Sequence, residues 1–222
     1  MDLNRSVEIL ERLYHEGKLF NTSDLACAYL NRGRICWVLA SFDEEAILDF
    51  SRGIMILERL YNERKLFDVN ILALGKAYMN RGLLYAAKTD YKKAILDYNR
   101  SIEMQERMNS ENKLYDERDL ASVYCNMGIA LYNLGNAKDA ISNSVNALRM
   151  FKRLFVNRHD LQKDYFDCLG WTISMVDIKK DLNVYANILK EFLFPMLDLE
   201  KTEAAEAVQN AILEHLNLNK KI

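Results

Sequence analysis

Apolar residues recur at three- and four-residue spacing through most of the chain, as in Leu25, Tyr29, Leu30 and in Ile47, Phe50, Ile54, Leu57, Leu60. That is the period of helices burying one face, so the chain reads as a succession of amphipathic helices. Polar stretches at Ser41-Phe-Asp-Glu-Glu45, Thr89-Asp-Tyr-Lys-Lys93 and Gly135-Asn-Ala-Lys-Asp139 interrupt the pattern and supply capping residues for short turns. The pattern also repeats. Glu-Arg-Leu-Tyr-x-Glu-x-Lys-Leu-Phe stands at Glu11–Phe20 and at Glu58–Phe67, with a looser copy at Glu106–Tyr115, and the starts lie 47 and 48 residues apart. Self-similarity at that period marks a stack of repeats, each unable to bury its apolar face alone.

Further landmarks align inside each period. Ala28-Tyr-Leu-Asn-Arg-Gly33, Ala77-Tyr-Met-Asn-Arg-Gly82 and Val123-Tyr-Cys-Asn-Met-Gly128 match without a gap. Ala46 follows its glycine by thirteen residues, Ala94 and Ala140 follow theirs by twelve, and seven residues further lie the small residues Gly53, Ser101 and Ala147. Phe50, Tyr98 and Ser144 stand between them. These landmarks predict two antiparallel helices per repeat, brought close where the glycine of the first meets the alanine and small residue of the second.

The landmarks resemble the tetratricopeptide repeat: an aromatic four before the glycine (Tyr29, Tyr78, Tyr124), the glycine, the alanine and the small residue. The resemblance covers residues 1–155 well and 156–198 loosely. It implies an all-α fold, a right-handed solenoid of antiparallel hairpins with about nine or ten helices. Ordinary repeats of the family run 34 residues; the surplus here falls in Leu60–Asp68 and Met108–Asp116, predicting long second helices and extended connections. That resembles the longer-repeat branch of kinesin light chains and bacterial peptide-sensing regulators. One array is expected: a half-repeat helix over 1–20, repeats over 21–68, 69–115 and 116–158, a degenerate repeat over 159–198, and a capping helix over 199–222. The half-repeat is read from Asn4–Arg12, which matches Asn99–Arg107. Either it caps the stack or the chain is a piece of a longer array. In the fourth unit Leu169-Gly170 keeps the glycine, but Leu182 stands where the alanine would be, so its tight crossing is expected to be lost. Pro195, lacking an N–H, is expected to end or kink a helix. Thr202 then caps an amphipathic helix through about Leu216.

Composition agrees with this reading and narrows the function. There are only 8 Gly and 1 Pro, few breakers for the turns of a β-rich fold. With 30 basic against 32 acidic residues the chain lacks the charge of a dedicated nucleic-acid binder. The sequence has neither a signal-peptide h-region nor an apolar run approaching a membrane span, which points to the cytoplasm. Cys27, Cys36, Cys125 and Cys168 are far apart in sequence, without metal-ligand spacing, and read as free thiols in a reducing compartment. Phosphate-loop, metalloprotease and hydrolase motifs are absent, and His15, His159 and His215 occupy unrelated repeat positions. No catalytic residue, metal or cofactor is assigned.

Asn31, Asn80 and Asn126 stand two residues before their glycines. Asparagine is a mediocre helix former, so three copies in one register call for a reason. The residue two before the glycine points about 200° away from it, towards the inner face of the superhelix. An amide carries both a donor and an acceptor and can hold an extended peptide backbone whatever its side chains. The resemblance implies the same role, since this position commonly lies on the family's concave surface. The alternatives are that the asparagines are inherited from duplication or bond neighbouring helices. The same offsets put Arg34 and Trp37, Lys76, Met79 and Leu83, and Ile129 and Tyr132 on that face, with Trp37 and Tyr132 as candidate anchors. Individual members serve equally well as core between repeats. Only Arg34 and Lys76 are basic, too few for a clamp on a peptide C-terminus. The recurring Glu-Arg pairs (Glu11-Arg12, Glu58-Arg59, Glu106-Arg107) are expected to form ion pairs on the outer surface or between repeats. The expected function is a non-catalytic scaffold binding a protein or peptide segment in a concave groove. The alternative is a peptide-sensing regulatory module, or a fragment of a larger regulator, that changes conformation on binding.

Overall fold

The computed structural model describes residues 3–39, 43–111, 116–155, 158–177, 180–193 and 195. These residues form α1 (Leu3–His15), α2 (Thr22–Val38), α3 (Asp43–Asn62), α4 (Asp68–Ala87), α5 (Tyr91–Ser110), α6 (Arg118–Asn133), α7 (Ala137–Phe155), α8 (Gln162–Ser174) and α9 (Leu182–Ile188). A 3-10 turn at His159–Leu161 precedes α8 and a π-helical turn at Leu189–Leu193 follows α9. The capping helix expected over 199–222 lies outside the described residues, as do residues 41 and 42 of the first polar turn and 112–115 of the third block. The architecture is an all-α solenoid of helical hairpins, and the chain divides into two compact units, Met1–Val123 and Tyr124–Ile222, with the boundary inside α6.

In the first unit α2 packs on α3 and α4 on α5 as hairpins, while α1 packs on α2 and α3 on α4 to join them. The glycine crossings are as the landmarks predict. A β-carbon on Gly82 would lie 2.7 Å from a ring carbon of Tyr98 and 3.3 Å from the Ala94 carbonyl oxygen. On Gly33 it would lie 3.2 Å from the Ala46 carbonyl and from Cβ of Asp49. Tyr98, Phe50, Leu57, Leu74 and Leu84 are completely buried around these crossings. α3, α4 and α5 each have 20 residues, so the surplus of the long repeat lengthens the helices. The first of the two expected extended connections is not observed, because α3 and α4 are joined by residues 63–67 alone, and the second includes residues 112–115, outside the described residues.

The repeated block explains that economy. After α1 the chain closes with Lys18 N–H donating to Leu13 O (2.9 Å) and Gly17 N–H to Tyr14 O (3.1 Å). After α3 Lys65 repeats the first bond to Leu60 O and Arg64 the second to Tyr61 O. This Schellman closure requires a left-handed residue, here Gly17 (φ +66) and Arg64 (φ +57). Leu19 and Leu66 then fold back against the core.

The block also carries the bonds between hairpins. Glu11 accepts from the Tyr29 hydroxyl and Glu58 from that of Tyr78. Arg59 donates to the Tyr14 hydroxyl at 3.0 Å and Arg107 to that of Tyr61 at 2.6 Å, each guanidinium lying over the ring it bonds. Of the expected surface ion pairs Arg107 forms one, with Glu111 at 3.3 Å, while Glu11, Glu58 and Arg59 bond tyrosines, as Arg107 also does. Burial, reinforced by the bond to Glu11, pushes the Tyr29 phenol up to about 12.

In the second unit α6 meets α7 at Gly128, which is pressed against Ser144 and the Ala140 carbonyl. α7 packs on α8 around Phe151, Phe155 and Tyr165, with the Tyr165 hydroxyl donating to Phe192 O at 2.6 Å. A β-carbon on Gly170 would have nothing within 4 Å among the described residues. The fourth unit has lost the tight crossing, as the missing alanine indicates. The π-helical turn is described as far as Leu193, and the break expected at Pro195 falls between residues outside the described ones.

Candidate functional site

The helix face two residues from each glycine crossing points away from the hairpin core, and on it stand the three asparagines. Asn31 on α2 is exposed; Asn80 on α4 and Asn126 on α6 are half-buried. Asn31 and Asn80 line one depression of about 210 Å³, with Arg34, Lys76, Cys27, Leu30, Phe50, Ala73 and Ala77. Two successive hairpins thus present their amides to a shared hollow with an apolar floor. None of the three amides makes a hydrogen bond among the described residues, so they do not tie neighbouring helices together. Each keeps a donor and an acceptor available.

Charge on this face is modest. Lys76 pairs with Asp119 at 2.7 Å, whereas Arg34 is exposed and makes no ion pair among the described residues. Trp37 is half-buried and packs against the core, leaving part of its ring to the surface. Met79 and Leu83 are half-buried on α4. In the second unit Ile129 is half-buried and Tyr132 exposed on α6, the helix of Asn126.

Residues just outside the expected set hold this face in place. Arg32 grips Asp49 with two bonds of 2.6 and 2.7 Å, and Arg81 grips Asp97 with two of 2.8 Å. Each arginine immediately follows an asparagine, so the pair fixes the turn of helix that aims the amide. Asp97 is 4% exposed. Burial pushes its carboxyl up against the pull of Arg81, while the Arg81 guanidinium, whose own burial works the other way, is raised by its bonds to Asp97. The sequence contained a signal for this pair. Arginine with aspartate in the first two hairpins becomes Met127 with Asn143 in the third, so both partners change together.

The chain is an array of helical repeats, and comparison with known proteins defines its class further. Residues 75–107, from α4 into α5, match the tetratricopeptide repeat model and are such a repeat. The chain is similar in fold to the crystal structure of BtubC (BKLC) from P. vanneervenii, a kinesin light chain-like repeat protein. The TM-score is 0.55 at 18% identity, over 95% of this chain and 81% of that one. A search of curated proteins finds no match. The resemblance drawn from the glycine landmarks therefore holds, including its longer-repeat character. Tetratricopeptide repeats generally mediate protein–protein interaction and are typically non-catalytic. Among the described residues no helix is long and apolar enough to cross a membrane, and no group of three or more potential ligands is placed to hold a metal ion.

Proposed function

We propose that the protein is a non-catalytic interaction scaffold of the cytoplasm whose asparagine face binds an extended segment of a partner protein. Asn31 and Asn80 hold the segment's main chain, each giving one donor and one acceptor, and Asn126 does the same on the second unit. Met79, Leu83 and the free edge of Trp37 supply apolar contact, with Ile129 and Tyr132 their counterparts on α6. Lys76 is neutralised by Asp119, so Arg34 is the charge that selects, favouring an acidic residue on the partner. The observation that supports this reading is the shared depression, where amides of two successive hairpins stand without partners. Main-chain recognition by side-chain amides tolerates varied sequences and gains affinity from the number of repeats engaged, since each added contact becomes intramolecular.

The test is affinity capture from the native cell with the whole chain and with Asn31→Ala/Asn80→Ala/Asn126→Ala. Proteins enriched by the wild type and lost by at least about tenfold with the triple variant support the proposal. An unchanged set of captured proteins removes it.

A further inference from the structure

The four cysteines are free thiols, with Cys27, Cys36 and Cys125 half-buried and Cys168 buried. Two of them meet inside the second unit. On α6, Cys125 stands one turn before Gly128, whose backbone is pressed against Ser144 of α7. On α8, the Cys168 thiol donates to Ser144 O at 3.8 Å, so α6 and α8 bring their cysteines together across Ser144. There the two thiols lie in hydrogen-bonding contact with each other. They differ in access. Cys168 is 1% exposed, whereas Cys125 keeps an edge at the surface. The hydrogen bond to Cys125, with burial, pushes the Cys168 thiol well up, so it holds its proton and is shielded from reagents in solution. Cys27 and Cys36, on α2, lie beside charged groups instead, Cys27 near Asp24 and Cys36 near Asp49 and Arg32. A reachable thiol in contact with a buried one is the arrangement of an attacking and a resolving cysteine.

We propose that Cys125 and Cys168 form a redox-active dithiol that closes to a disulfide when a peroxide reaches Cys125. In the first step the Cys125 sulfur attacks one oxygen of the peroxide and the O–O bond breaks. Cys125 becomes a sulfenic acid, and the other oxygen leaves with the thiol proton, as water from hydrogen peroxide or as an alcohol from an organic hydroperoxide. In the second step the Cys168 sulfur attacks the Cys125 sulfur. The S–S bond forms, the S–O bond breaks, and the hydroxide departs as water with the Cys168 proton. The Thr172 hydroxyl beside Cys168 eases the loss of that proton. Each sulfur gives up one electron, and the peroxide oxygens take both. The sulfurs need close only from hydrogen-bond contact to a bond length of about 2 Å. The bond ties α6 to α8 across Ser144. In a reducing compartment the dithiol is the resting form and the disulfide a transient one. This chemistry needs no partner protein, so it stands apart from the reading of the asparagine face.

The full chain is titrated with hydrogen peroxide, its remaining thiols are blocked with iodoacetamide, and its tryptic peptides are mapped without reduction by mass spectrometry. Peptides 119–138 and 164–179, each holding one cysteine, should appear joined with the loss of two hydrogens. A dithiol reductant should restore both. In native buffer this pairing should exceed any other among the four cysteines by about tenfold or more, and oxidation in urea should erase the preference. With dimedone present, Cys168→Ala should carry about tenfold more label at Cys125 than the wild type, in which Cys168 consumes the sulfenic acid first. Label at Cys27 and Cys36 should be equal in the two proteins, which checks that both meet the same dose of oxidant. The wild-type mapping stands whether or not the variant folds. Absence of the joined peptides, pairings spread evenly over the cysteines in native buffer, or label at Cys168 ahead of Cys125 overturns the inference.

Discussion

Replacing Asp97 tests whether buried ion pairs hold the asparagine face. Asp97→Ala leaves Arg81 charged, with its side chain only 17% exposed and its two 2.8 Å bonds gone. Removing one partner of a buried pair costs about 3–5 kcal/mol; water can still reach part of Arg81, which lowers the expectation to about 2–4 kcal/mol. At roughly 2–4 °C per kcal/mol for a chain of this size, the Tm should fall by roughly 4–16 °C. The third hairpin supplies the control, since Met127 and Asn143 hold the same positions without a charge pair. Arg81→Met/Asp97→Asn should therefore stay within about 1 kcal/mol of the wild type, less than Asp97→Ala alone costs and less than the sum of its own singles, Arg81→Met and Asp97→Asn. Urea denaturation of the wild type, both single variants and the double variant closes the cycle. If Asp97→Ala unfolds within 1 kcal/mol of the wild type, or the double variant loses the sum of the singles, the buried pair is not what positions this face.

Gly82→Ala should destabilise by about 1–3 kcal/mol, because its new carbon would meet the Tyr98 ring, whereas Gly170→Ala, with nothing within 4 Å among the described residues, should gain up to about 1 kcal/mol in thermal melts. Thr89 (φ 60) and Arg64 (φ 57) occupy left-handed positions that Gly17 and Gly135 fill at other turns. Thr89→Gly and Arg64→Gly should each stabilise by about 0.5–1 kcal/mol in urea titrations, the relief of strain exceeding the added entropy of the unfolded chain. The Tyr29 phenol is raised in the folded state to about 12 from an ordinary 10.0, so its contribution is complete below pH 10 and fades as the pH climbs through 12. The stability difference between the wild type and Tyr29→Phe should shrink across that interval, and a difference that grows would reverse the assignment.

The hairpins were legible because a glycine crossing needs small residues at fixed offsets, and Gly33, Ala46 and Gly53 leave that trace in any copy. The asparagines were legible as a register for the same reason, although a register states where an amide stands and not what it holds. The ties between hairpins were read only in part: the recurring Glu-Arg suggests ion pairs on the outer surface or between repeats, while here the acid and the base bond tyrosines contributed by different helices, an arrangement that depends on how the repeats stack. Arg81 and Asp97 escaped notice because each alone is ordinary on a helix; only their joint replacement by Met127 and Asn143 links them.

The claim that the asparagine face is the binding face is tested most directly by where a captured partner can be cross-linked. With a photoreactive benzoylphenylalanine at Lys76, in the depression, irradiation of the full chain in its native cell extract should join it to the partner. The same residue at Glu103, exposed on α5, should give no adduct. An adduct that forms at Glu103 and not at Lys76 would contradict the account.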